Sequence, residues 1–274
     1  MSTQSGGDPN RRTTKAEKKE QARIERERIQ QQMHSRRRNR TIGIVIVATA
    51  VAAIVAVVVI LQPGGGGSAS AQPTADELLA QAPGAATAAG CDAVQDVGYY
   101  GGVSGPTDSP DYGDQSHVGP NSNFTTMPPL STYPSIPPTS GPHNATPLAA
   151  GVYDTPPPID QAIHSLEHGG TILWYSPDAP AAQVQALTDF YGRRVSDAAV
   201  GQDRVIVAPY DYPDQGAAGS LPAGKQMALV AWHRLQLCDQ VNLAAAFDFT
   251  SQYSVPTAAD REYVGEAPEP GASM

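Results

Sequence analysis

The chain reads as an α+β protein: a small mixed sheet with a few helices and a proline-rich, irregular N-terminal wrap, all preceded by one transmembrane helix. Three observations predict this. Residues 41–61 form an uncharged run of 21 residues rich in Val, Ile and Ala, long enough at about 1.5 Å per residue to span a bilayer core of roughly 30 Å. Residues 101–158 contain 13 prolines, which precludes a long helix or an interior strand there. Beyond residue 158, helical and strand patterns alternate with short turns, the pattern of a single mixed domain.

Residues 1–40 hold 12 of the 18 Lys and Arg, and Arg36, Arg37, Arg38 and Arg40 stand against the apolar run. The positive-inside rule then keeps the N-terminus in the cytoplasm and places the C-terminal domain outside the cell membrane. A cleaved export signal ending at Ser68-Ala69-Ser70-Ala71 is the competing reading; both the basic leader and the apolar core exceed its usual dimensions. The arm interleaves Glu17, Glu20, Glu25 and Glu27 with its bases at helical spacings, so it reads as a solvated juxtamembrane arm against anionic headgroups. Without the arm the chain keeps 6 basic and 22 acidic residues, a net charge near −16 that the whole-chain value of −9 conceals. Such a domain offers no phosphate-seeking patch, which excludes nucleic acid as a partner.

Residues 62–90, rich in Gly, Ala, Gln and Pro, read as a flexible linker with room for only a short helical turn at 76–81. An extracytoplasmic domain is expected over 91–255, followed by a polar tail over 256–274. The two cysteines, Cys91 and Cys238, both fall beyond the apolar run, where oxidation is permitted. One disulfide joining the start of the domain to its end is expected.

Within the domain, Asp160 is placed to cap a short helix that carries His164 and His168 and stops at Gly169-Gly170. Thr171 to Tyr175 reads as a buried strand, and Pro180 as the start of a helix presenting Val184, Leu187 and Tyr191. Arg204 to Ala208 and Met227 to His233 read as two more strands. Asp239 is placed to cap a last helix with Leu243, Phe247 and Phe249 on its apolar side.

The chemistry-bearing words are few. The chain has six histidines, and His164 and His168 stand four residues apart beside Glu167, on one face at helical pitch. His143 follows a rigid Gly141-Pro142 turn, and His117 lies in the loop before it. The words Pro137-Pro138-Thr139-Ser140-Gly141-Pro142-His143, Gly151-Val152-Tyr153, His164-Ser165-Leu166-Glu167-His168-Gly169-Gly170, a strand ending at Trp174-Tyr175 and the late Ala231-Trp232 occur in that order. In this the chain resembles the bacterial family called domain of unknown function 3105, over about residues 91–253. The resemblance implies a single N-terminal membrane anchor. It departs at His233, where relatives are associated with a small residue, so no role for His233 follows from it.

A metal site on His143, His164, His168 and His117 is the reading the side chains favour. Imidazoles suit zinc or copper in a compartment where thiolates are consumed by disulfide formation. Glu167 is a candidate ligand, base or second-sphere group orienting a ring N–H, and Met127 or Met227 a softer ligand for cuprous copper. The bland alternative is that the histidines hold the wrap down by hydrogen bonds to its backbone. His164-Ser-Leu-Glu167-His168 also fits the His-x-x-Glu-His pattern of inverted zinc peptidases, but the distant glutamate such a site needs is found only in the tail, as Glu262, Glu266 or Glu269. A third reading is a non-catalytic partner of an envelope or membrane complex. Ser140, Ser104 and Ser165 lack a nucleophile elbow, and residues 64–67 lack the Lys-Ser/Thr of a phosphate loop.

Overall fold

A computed structural model describes residues 72–102, 113–194, 204–255 and 262–274 of the chain. Its elements in chain order are α1 (Ala75–Ala88), β1 (Gln95–Asp96), β2 (Gly151–Val152), α2 (Ile159–Glu167), β3 (Thr171–Tyr175), α3 (Ala181–Arg194), β4 (Val205–Pro209), β5 (Met227–Ala231), β6 (Arg234–Cys238) and α4 (Leu243–Tyr253). The strands make one six-stranded mixed sheet in the order β1-β6-β5-β3-β4-β2. β3 pairs parallel with β4, as the α3 crossover between them requires, and antiparallel with β5.

The central strands are apolar on both faces because both faces are covered. Leu173, Val205, Val207, Met227 and Leu229 point into one core with α1, α3 and α4. Ile172, Trp174, Ile206, Ala228 and Val230 point the other way, against α2 and the irregular segment around Leu130, Tyr133 and Leu148. That second layer carries every histidine of interest.

Several expectations are corrected. Residues 75–88, read as part of a flexible linker, form α1, with Leu78, Ala82 and Ala85 buried. A capping box between Thr74 and Glu77 starts the helix, and packing against α4 holds it despite Pro83. Met227 to His233 is not one strand, because Trp232 and His233 turn the chain into β6. The turn puts His233 at φ 56, a left-handed conformation that normally favours glycine. Pro158, not Asp160, precedes α2, and Asn242, not Asp239, caps α4 by accepting from the Ala245 amide at 3.0 Å. Residues 262–274 of the expected polar tail share the compact unit 68–274 with the domain. No described helix is long and apolar enough to cross a membrane, and the run 41–61 lies outside the described residues.

Cys91 and Cys238 are disulfide-bonded, 147 residues apart, at the point where the chain entering from α1 meets the end of β6. Closing so long a loop stabilises the fold by about 5 kcal/mol in the chain-entropy model. Reduction, or a Cys238→Ser change, is therefore expected to lower the melting temperature by roughly 10 °C in a calorimetric or circular-dichroism melt; an unchanged melting temperature would show that the bridge contributes nothing.

Candidate metal centre

α2 sets one wall of the site. Ile159, Ala162, Ile163 and Leu166 recur at helical spacing and are buried against the sheet, which aims His164, Glu167 and His168 away from it. His168 is the C-terminal cap, and Gly169 follows at φ 82, so the helix stops there with its last carbonyls free to accept other partners.

The facing wall is a short extended pair. His117 and His143 form a parallel bridge, with the Val118 amide donating to the His143 carbonyl at 2.7 Å and the His143 amide to the Ser116 carbonyl at 3.0 Å. This backbone ladder sets the two imidazoles side by side, ring centres 5.1 Å apart. The turn before His143 is held just as closely. Gly141 has φ 116, and a Cβ there would lie 2.7 Å from the Tyr133 ring, so no side chain fits. Its amide donates to the Asp114 carbonyl at 2.9 Å, and the neighbouring Ser140 hydroxyl donates to the Asp114 carboxylate at 2.6 Å.

Asp114 is fully buried and accepts two further bonds, from the Tyr100 amide at 2.9 Å and from His233 Nε2 at 2.7 Å. The strained turn at His233 is thus anchored by its own imidazole. Sequence reasoning passed over Asp114, the last of three nearby aspartates with Asp108 and Asp111, and left His233 without a role. Ser140 Oγ bonds Asp114 and not a histidine, so the three side chains are not a nucleophilic triad.

The histidine protons are fixed by the backbone. A carbonyl only accepts, so each ring nitrogen bonded to one must carry the hydrogen. His143 Nδ1 donates to the Gly141 carbonyl and His164 Nδ1 to the Asn144 carbonyl, each at 2.7 Å, and His168 Nδ1 donates to the Ser273 carbonyl. The Nε2 atom of each ring is thereby left to face other partners. His143 Nε2 is 2.9 Å from Glu167 Oε2, and His164 Nε2 is 2.9 Å from His168 Nε2. Lone pair against lone pair at such distances needs a shared positive charge, either a proton or a cation. At His164 burial, reinforced by His143, pushes the imidazole down to about 4. His117 is lowered as well, by burial first and His143 second.

His117, His143, His164 and Glu167 each offer one ligand atom within 4.8 Å of all the others, a group that could hold a metal ion. Four tetrahedral donors with bonds of about 2.0–2.1 Å stand about 3.3–3.4 Å apart, so the set closes on an ion by a contraction of at most roughly 1.5 Å. His117 is the member free to move, its side chain half exposed while the others are buried. Glu167, expected as a ligand, base or orienting group, belongs to the group itself, 3.8 Å from His117 Nε2. His168 touches His164 but stands outside the four. Met227 lies in the opposite core layer, and Met127 lines a groove with Leu130 and Tyr212.

The model of the family described as Protein of unknown function (DUF3105) matches residues 127–269, just over half of the chain. It covers His143, His164, Glu167 and His168 but not His117. No curated protein and no solved structure matches the chain.

Replacing Asp114 by Ala would leave the Tyr100 amide, the Ser140 hydroxyl and the His233 ring without their acceptor. At about 1–3 kcal/mol per buried unpaired donor, the variant should lose at least about 3 kcal/mol in urea unfolding; a loss under 1 kcal/mol would remove Asp114 as the anchor of the His143 turn.

Proposed function

We propose that this chain, which belongs to the DUF3105 family, binds one zinc or cupric ion on an extracytoplasmic domain anchored to the cell membrane by residues 41–61, with its N-terminus in the cytoplasm. The observation that carries the metal reading is the convergence of ligand atoms of His117, His143, His164 and Glu167 within 4.8 Å of one another, with the Nδ1–H groups of His143 and His164 donating to backbone carbonyls so that Nε2 is the atom each offers. Metal-ligating histidines are ordinarily oriented in this way, their second ring nitrogen donating to a carbonyl or carboxylate.

The donor set of three imidazoles and one carboxylate favours a borderline divalent ion. Both thiols are spent in the disulfide, so the chain offers the ion no thiolate. The uncharged length of 41–61 and the four arginines before it support the anchor and its orientation. The inverted-peptidase reading is less well supported: Glu167, which it assigns to activating water, is directed at His143.

Full-length chain purified in detergent without a polyhistidine tag should retain or take up about one equivalent of zinc or copper, measured by elemental analysis and titration. His164→Ala should weaken binding by roughly two orders of magnitude while leaving the circular-dichroism spectrum unchanged. Wild-type chain that neither retains nor binds either ion would overturn the reading.

A further inference from the structure

The segment 262–274 is read from composition as a polar tail, yet it is docked on the open end of α2. The Glu269 amide donates to the Glu167 carbonyl at 3.0 Å and the Gly271 amide to the His168 carbonyl at 3.1 Å, satisfying carbonyls that the end of the helix leaves free. Arg204 clamps the segment from the sheet side, donating to the carbonyls of Gly271, Ala272 and His168.

Two consequences reach the metal centre. The Ser273 carbonyl takes the Nδ1 proton of His168, which leaves Nε2 aimed at His164 Nε2. The Glu269 carboxylate stands 3.6 Å from that same Nε2, on the solvent side, with its side chain 62% exposed. Two nitrogens 2.9 Å apart fit one ion at bond lengths of about 2.0–2.1 Å. We infer that the segment 262–274 is a working part of the metal site: it holds His168 in the tautomer that ligates through Nε2, and it supplies Glu269 as an outer carboxylate ligand. Docking of the segment and binding of the ion then strengthen each other, because coupling between two equilibria is reciprocal. The inference rests on the metal-binding reading above.

Hydrogen exchange on the full-length chain tests it, with zinc(II) as the probe. Zinc should slow exchange of the Glu269 and Gly271 amides at least tenfold. Arg204→Ala, which removes no ligand, should weaken zinc binding about tenfold and abolish that protection. Glu269→Gln, at an exposed side chain, should weaken zinc binding several-fold and shift the visible spectrum of the cobalt(II)-loaded chain. If zinc binds normally to both variants and the two amides exchange alike with and without it, the segment is only a structural cover and the inference is wrong, with the metal reading intact. If the wild-type chain binds no zinc or cobalt, both fail together.

Discussion

Three ring protons organise this site. Because His143, His164 and His168 each give their Nδ1–H to a main-chain carbonyl, Nε2 is the nitrogen each ring turns toward its other partners. Main-chain carbonyls are strong acceptors that cannot change their protonation, so each holds its ring with a hydrogen on Nδ1. Everything around the site serves to keep those carbonyls in place.

The fold supplies them from two separate stretches, 141–144 and the segment at Ser273. The Gly141 carbonyl is held by the Asp114 cluster and the ring of Tyr133, the Asn144 carbonyl by the bridge between 116–118 and 143, and the Ser273 carbonyl by Arg204 through its neighbours Gly271 and Ala272. α2 and its cap contribute His164, Glu167 and His168, seated on the sheet through Ile163 and Leu166. The helix end, the extended pair and the docked segment come from distant parts of the chain and are brought together by the fold. The site is therefore a property of the tertiary structure, and destabilising the loop at Asp114 is a route to the metal centre without touching a ligand.

What was legible in the sequence follows from what sequence patterns encode. His164 and His168 share a face at helical spacing, and β3, α3 and β4 show plain apolar periodicity, so these could be placed from residues alone. β6 was hidden because Trp232-His233 makes its turn without the usual Gly or Asn. α1 was hidden by Pro83 and Gly84, which argue for a linker until the packing of Leu78 and Ala82 is known. The parts least legible are those made by main-chain atoms. The Ser273 carbonyl, the Glu269 amide and the Gly271 amide are present in any sequence, and only the fold decides what they meet. Asp114 and Glu269 gave no spacing signal, being brought to the site from loops.

The central claim is that the histidine nitrogens and a carboxylate surround one ion. X-ray absorption spectroscopy of the zinc-loaded full-length chain tests it most directly. The account predicts an inner shell of nitrogen and oxygen at about 2.0–2.1 Å with the outer-shell scattering of at least three imidazole rings. A shell containing sulfur near 2.3 Å, or one of oxygen alone without imidazole scattering, would contradict it.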